Sequence, residues 1–375
     1  MIKFKFLNTF QGLDLESAAH DYLEKNACWN LAFLEHLELS GSIGEGTGWH
    51  PLPLLVEKDG QNMGLVPMFI KSHSYGEYVF DWSWAEAFER YGFNYYPKLL
   101  IGLPFTPVPT NKFFNLTPEF LKQIIDFIED FSLKNKISSV HYLFESAEGE
   151  GQFFSPDTWA QRKTLNYLWE NNQYASFDDF LNTLTHEKRK KIKQDQKKVQ
   201  QAGVTFKTFD QDISDDLLEF AYHCYENTYH LHNSRPYIKK PFFMKFYKEN
   251  MQKSVLFFAF IDDKPIACSI CLRDKYSLYG RHWGAINYVP SLHFDLSYYL
   301  GIKYAIEHNY KYFYAGVQGE HKLARGFKPI LSNSYHFIAN PEFRKAIFDF
   351  VDQDKRNHEL YFDELNERKP YKNRD

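Results

Sequence analysis

The sequence predicts a mixed α/β chain built as two units of similar plan, and three observations lead there. At 375 residues the chain exceeds one ordinary domain. A strand–turn–strand pattern occurs twice, about Pro53–Ile70 and about Leu256–Leu272. Each copy is followed, after a further aromatic strand, by an amphipathic helix and another strand.

In the first copy, the apolar run Pro53–Val56 meets Glu57-Lys58-Asp59-Gly60 and then Met63–Ile70. Turn residues between two apolar runs mark a hairpin. Glu77-Tyr78-Val79-Phe80 reads as the next strand. Pro118–Lys134 carries Phe120, Leu121, Ile124, Ile125, Phe127 and Ile128 on one side at helical spacing, and Ile137–Phe144 reads as a strand. In the second copy Leu256–Ile261 and Pro265–Leu272 flank Asp262-Asp263, and Ser277–Gly280 is the next strand. Leu292–His308, with Leu296, Tyr299, Leu300, Ile302 and Ile306, is the helix, and Tyr310–Tyr314 the final strand. Asn171-Asn172 signals a turn and Ser176 caps a helix start. The join therefore falls there, giving domains 1–173 and 174–375. The tail holds a helix from Pro341 to about Asp354, and Glu367–Asp375 is polar and frayed.

Composition narrows the class. Charged and apolar fractions are ordinary for a soluble globular protein, and a net charge of −4 argues against a chain globally built for nucleic acid while leaving room for a local basic patch. No run of about 18 apolar residues would span a membrane, and Met1–Phe6 lacks the apolar core of a signal peptide. The four cysteines are Cys28, Cys224, Cys268 and Cys271. Cys268 and Cys271 lie three apart in an apolar strand, on opposite faces, so they make no metal site and read as buried thiols of a reducing cytosol. A cytoplasmic protein with no metal and no tightly bound cofactor is expected.

Several segments carry chemistry. Ala315–Phe327 follows the aromatic strand and places Glu320, His321, Lys322 and Arg325 among Gly316, Gly319 and Gly326. Glycine lets backbone approach a ligand closely, and the acid and imidazole beside it suit proton transfer; by spacing alone the segment reads equally as a helix start with solvated charges. His186–Val199 holds seven Lys or Arg against two acids, net +5 with His neutral. A helix there, with Lys188, Arg189, Lys190 and Lys191 on its first turns, either grips phosphates or is a solvated face. Glu77 and Asp81 would share one face of a strand, where they hold a cationic substrate or line a wet sheet edge. Tyr95-Tyr96-Pro97-Lys98 leads to the proline-rich 103–109 segment with Thr106, a cleft wall or a plain loop. Arg281 and His282 end a strand, where Arg281 suits a carboxylate or phosphate and His282 a base or a structural role.

Together His73–Trp82, Tyr95–Leu99, Pro104–Val108, Glu187–Lys190, Tyr279–Gly284 and Gly316–Phe327 resemble a bacterial family of predicted N-acyltransferases labelled peptidoglycan biosynthesis/recognition. That family is related to the FemAB aminoacyltransferases and the GNAT acetyltransferases. The resemblance implies two tandem GNAT-like α/β units with a cleft near or between them. It brings no certain substrate. Acetyl-CoA-dependent GNAT domains resemble one another at an R-x-x-G-x-G/A loop; the corresponding stretch here, Gly284–Leu292, offers only Gly284. Fem-type enzymes also lack that loop and draw an aminoacyl group from charged tRNA, which would give Lys188–Lys198 a role.

The expectation is N-acyl transfer from an acyl-CoA or an aminoacyl-tRNA, as co-substrate, to an amine such as a peptidoglycan precursor. Glu320, ahead of His321, is the expected base, and backbone N–H groups of Gly316–Gly319 would hold the oxyanion. Lys322 and Arg325 would meet phosphate or carboxylate. Glu77, Asp81, Tyr96, Lys98, Thr106, Arg281, His282 and Gln318 would contact substrate, and Lys188–Lys191 the donor phosphates. The alternative is a non-catalytic module that binds cell-wall fragments or RNA through its many aromatics.

Overall fold

Two-residue turns in which both residues are left-handed set the register of both expected hairpins. Asp59 (φ +52°) and Gly60 (φ +85°) join β3 (Leu54–Lys58) to β4 (Gln61–Val66). Asp262 (φ +49°) and Asp263 (φ +59°) join β10 (Ser254–Ile261) to β11 (Lys264–Arg273). Such turns match the right-handed twist of paired strands, and Asp and Gly tolerate the conformation. The structure is a computed structural model and describes residues 2–13, 15, 30–146 and 149–372; Cys28 lies outside them.

The chain divides into two compact units, Met1–Leu165 with Leu331–Tyr361, and Asn166–Ile330 with Phe362–Asp375. The contiguous division at 173/174 does not include this exchange of C-terminal segments.

In the first unit β1 (Ile2–Phe6), β3 and β4 form a small sheet in the order β1-β3-β4. A second sheet runs β2 (Trp49–Pro51), β5 (Met68–Lys71), β6 (Lys98–Ile101), β7 (Ser139–Tyr142), β14 (Lys328–Ile338). The crossover between β6 and β7 is α3 (Pro118–Lys134), whose Phe120, Leu121, Ile124, Ile125 and Ile128 are buried as the periodicity predicts. Phe127 is packed against the same core but only partly buried. Each of these side chains contributes about 1.5–3 kcal/mol on full burial.

In the second unit the order is the end of β8 (Trp159–Glu170) from Asn166 on, β13 (Tyr312–Tyr314), β12 (Ser277–Ala285), β11, β10, β9 (Thr205–Phe209). Here α4 (Phe177–Thr183), capped by Ser176 as expected, precedes the basic helix α5 (His186–Gln201). Helix α6 (Asp215–Leu231) packs on β12. The crossover between β12 and β13 is α8, made of Leu292–Phe294, a π turn Asp295–Tyr299 and Leu300–Glu307.

The two units share a plan. In each, an antiparallel strand (β5 or β11) leads to a parallel pair, β6∥β7 or β12∥β13, matched over only three residues. In each, the strand beside the last one comes from the other half of the chain: β14 pairs with β7, and β8 with β13. A regular pattern reveals a strand but not its partner, so this exchange leaves no mark on the hydrophobic periodicity.

Three expectations change. Glu77–Phe80 is not a strand: Gly76 (φ +80°) and Tyr78 (φ +62°) are left-handed, which no extended run tolerates, and Asp81 is the residue before helix α2 (Trp82–Arg90). Arg281 and His282 lie within β12 and not at its end. The tail helix, α9, continues from Pro341 to Glu367, well beyond Asp354.

Gly284 has a packing role. A Cβ built there would lie 2.0 Å from the Cys224 carbonyl oxygen and 2.9 Å from Cys224 Cβ on α6. The bare Cα lets helix and strand touch. Gly284→Ala should therefore lower the midpoint of urea unfolding by an amount worth about 1–3 kcal/mol, whereas Gly203→Ala, where nothing lies within 4 Å, should act only through its left-handed backbone.

Candidate functional site

The first unit gathers Glu77, Asp81 and Lys98 around one buried amine. Lys98 Nζ donates to Glu77 Oε2 at 2.7 Å, Asp81 Oδ2 at 2.5 Å and Ser74 Oγ at 2.8 Å. Lys71 Nζ lies 3.6 Å from Glu77 Oε1 and 3.7 Å from the Trp49 ring centre. Tyr96 joins through a 2.9 Å hydroxyl contact with Ser74. Tyr95 donates to Asp81 at 2.6 Å and lies 3.3 Å from His141 Nε2, and His141 Nδ1 is 2.7 Å from His336 Nδ1. Thr106 stands apart and donates to the Pro104 carbonyl at 2.8 Å.

The charges here answer one another. Burial pushes the Glu77 carboxyl up against the pull of Lys98. Burial acts the same way on Asp81, but Lys98 and His141 outweigh it and hold Asp81 well below the carboxylate range. Burial lowers Lys71 to about 7 and His141 to about 3, and keeps His336 far below its ordinary value. The two carboxylates expected to meet a cationic substrate are thus met by lysines of the chain itself.

The second unit builds its cluster where the parallel pair ends. Pairing of β12 with β13 stops at Tyr279 and Tyr314. Beyond it the register of β12 slips, so that Gly280 faces Cys271 and His282 faces Ile270, leaving Arg281 as the extra residue of a bulge. Ligands of α/β sheets commonly bind beyond the carboxyl ends of parallel strands. From that end of β13 the chain enters the Gly316–Gly319 turn and a short 3₁₀ helix, Glu320–Arg325.

His321 occupies the open side of this turn. Its Nε2 is 3.1 Å from the Tyr298 hydroxyl, and its ring lies 5.6 Å from Phe294 and 6.0 Å from His293 between ring centres. Trp283 packs on His293 at 4.8 Å. Gly319 (φ +100°) makes room for the imidazole, since a Cβ there would come within 2.4 Å of His321 Cε1. Burial of part of the ring, then the Arg325 and Lys322 cations, lower His321 to about 4, so it is neutral at neutral pH. His293 is lowered to about 4, mainly by burial. Burial raises Tyr298, which remains a phenol. The π turn in α8 presents Tyr298 to His321 and the adjacent Tyr299 to Asp195; such turns recur at functional sites.

The remaining expected residues divide. Lys322 is buried, lowered to about 8 by burial, and donates to the Gln318 carbonyl; Gln318 itself is exposed. Arg325 lies 3.4 Å over the Phe294 ring. Glu320 is ion-paired with Arg368 near the chain's end. His282 packs against Tyr225 and Phe243, at 4.8 and 5.6 Å between ring centres, and burial keeps it uncharged. On α5, Lys188 lies 3.2 Å from Glu187, Arg189 donates to Asn182 at 3.1 Å, Lys190 is exposed, and Lys191 lies 3.5 Å from Asp195. His293 and Tyr298, which the sequence places at the start of the helix after β12 as a site for an anion or proton donor or as an ordinary cap, belong to the cluster, and so do Asp195 and Phe294. Asp195 had one legible signal: it falls in step with Ile192 and Val199, the apolar positions of α5. Among the described residues no group of three or more His, Cys, Asp or Glu could hold a metal ion, and no helix is long and apolar enough to cross a membrane.

The profile of a FemAB-like family, described as peptidoglycan biosynthesis/recognition, matches residues 12–373. No curated protein matches the chain. Among solved structures, FemX is similar with a TM-score of 0.56 at 12% identity, over 90% of this chain and 99% of that one. L-PGS from Bacillus licheniformis gives 0.53 at 12%, over 91% and 98%. A conserved protein of unknown function from Bacteroides thetaiotaomicron gives 0.51 at 11%, over 91% and 100%. At these identities the likeness is one of fold.

Two outcomes follow from the buried network of the first unit. Lys98→Met removes the cation that two buried carboxylates share and should cost about 3–5 kcal/mol in denaturant unfolding, while Lys122→Met, which breaks an exposed pair with Asp126, should cost under about 1 kcal/mol. His141 and His336 stay neutral when folded but take up protons when unfolded, so the unfolded chain binds more protons below about pH 6.5. Stability should therefore fall with pH from about 6.5 toward 3, by about 1.4 kcal/mol per unit for each such histidine, and unfolding curves at pH 7, 6 and 5 would show it.

Proposed function

The chain belongs to this FemAB-like family, and on that premise we propose that it transfers an acyl or aminoacyl group to an amine of a peptidoglycan precursor, with His321 as the general base. The observation that carries the assignment is the neutral His321 imidazole at the open end of the parallel strands, held by Tyr298 and flanked by Lys322 and Arg325. Glu320 is the weaker choice, because Arg368 already occupies its carboxylate.

In the proposed reaction the acceptor nitrogen attacks the donor's carbonyl carbon. His321 takes the proton that the nitrogen loses as the C–N bond forms. Backbone N–H groups of Gly316–Gly319 stabilise the tetrahedral oxyanion. As the intermediate collapses, the ester or thioester bond breaks, and the imidazolium returns its proton to the leaving oxygen or sulfur. A donor phosphate beside Lys322 and Arg325 offsets those cations, which raises His321 toward its ordinary value and makes it a better base while donor is bound. The exposed cations of α5 extend the positive surface that such a donor meets. Charged tRNA suits this surface better than coenzyme A, since Gly284 is committed to packing on Cys224 and supplies no phosphate-binding loop. Glu77, Asp81 and Lys98 hold the 74–81 segment in shape.

The test is transfer of a labelled aminoacyl group from charged tRNA, and of a labelled acyl group from acyl-CoA, to a peptidoglycan precursor. His321→Ala should lower kcat by about 10²- to 10⁴-fold, and Glu320→Gln far less. With a tRNA donor, transfer should weaken steeply with added salt and on neutralising Lys188–Lys191. Undiminished transfer by His321→Ala removes it as the base. Binding of precursor without transfer from either donor would indicate a recognition module.

A further inference from the structure

We propose that Asp195 is a positioning residue for His321, acting through Arg325; the proposal rests on the assignment of His321 above. Asp195 lies in the most basic helix of the chain, yet it is fully buried. Four groups from three elements converge on its carboxylate. Oδ1 accepts from Ser291 Oγ at 2.9 Å and lies 3.5 Å from Lys191 Nζ. Oδ2 accepts from Tyr299 at 3.0 Å and from an Arg325 guanidinium nitrogen at 3.3 Å.

Arg325 carries the constraint onward. Its other terminal nitrogen donates to the His321 carbonyl at 2.6 Å, and its plane lies against Phe294, the ring that also flanks the imidazole. A guanidinium is a rigid fork, so fixing one prong on Asp195 fixes where the other holds the His321 backbone. The π turn closes the arrangement from the other side, with Tyr299 on Asp195 and Tyr298 on His321. Asp195 touches no atom of His321, and its influence must pass through Arg325 and α8.

Charge and position predict opposite signs, which makes the idea testable. The charged and titratable groups around His321 are Arg325 and Lys322 on its own turn and His293 and Tyr298 on α8, with Asp195 behind Arg325. If Asp195 acted only by its charge, Asp195→Asn would make these surroundings more positive and lower the His321 pKa further. If it acts by position, Arg325 leaves the His321 carbonyl, its depressing effect is lost, and the pKa rises, while burial and Lys322 still hold it below the ordinary value.

The experiment is an NMR titration of the His321 imidazole in the full chain, paired with transfer kinetics. Asp195→Asn should raise the His321 pKa and lower kcat by about 10- to 100-fold with little change in KM, as expected for a misplaced group. Arg325→Lys, which keeps the charge and loses the fork, should likewise lower kcat, and it decides the matter if Asp195→Asn fails to fold by circular dichroism. A lowered or unchanged His321 pKa with kcat intact overturns the proposal. Should His321→Ala retain transfer while Asp195→Asn still raises the His321 pKa, the positioning stands and the base assignment falls.

Discussion

A carboxylate buried inside a helix of lysines is the constraint on which the second unit's site depends. Seven cations and two acids between His186 and Val199 would be a solvated surface if every charge faced water. Asp195 instead turns inward with Ile192 and Val199. A buried charge without partners is expensive, so the surrounding structure must bring donors to it. It does so from α5, from α8 and its approach, and from the turn after β13, and in doing so it ties three separate elements to one point.

The first unit meets the same physical demand with the opposite result. After β7 the chain makes a comparable turn, with Gly149 (φ +80°) before Glu150 and a short 3₁₀ helix, as Gly319 (φ +100°) precedes Glu320. There the acids are turned inward: Glu150 accepts from Tyr142 at 3.1 Å and from Ser146, and Glu145 accepts from Tyr335 at 2.9 Å and Asn333 at 2.7 Å. Lys112 is buried beside them, with its amine on the Thr110 and Phe144 carbonyls. The Lys98 network likewise meets its own charges. Polar groups in the first unit are thus spent on holding loops, whereas the second unit leaves an imidazole at the solvent edge. The two repeats share a plan and differ in which way the post-strand turn faces.

Much of this was legible in the sequence. Asp59-Gly60 and Asp262-Asp263 marked both hairpins, because few residues accept two left-handed positions in succession. The apolar side of α3 and the run of cations in α5 gave their helices directly. The 315–327 segment stood out because three glycines bracket four ionisable side chains. The losses have physical causes. Glu77, Val79 and Asp81 mimicked strand alternation, and only the left-handed Tyr78 and the pull of Lys98, 21 residues further on, reveal a folded loop. One acid among many bases looks like a break in charge until its depth is known. The π turn of α8 shifts phase without altering the apolar pattern, so neither Tyr298 nor Tyr299 could be assigned its partner. The exchange of β8 and β14 depends on pairing over long range, about which periodicity says nothing.

The C-terminal segment completes the frame around His321. Residues 362–372 belong to the second unit, where Thr185 N–H donates to the Pro370 carbonyl and Lys372 N–H to the Thr183 carbonyl, each at 2.9 Å. Tyr371 then donates to the carbonyl of Gly326, and Arg368 pairs with Glu320. The turn is therefore held at its first residue by Arg368, at its last by Tyr371, and between them by Asp195 through Arg325. Fixing a short segment at three points costs conformational entropy during folding, not during the reaction. An imidazole carried on such a frame can stay exposed to solvent without being free to wander, as the role of base proposed for His321 requires.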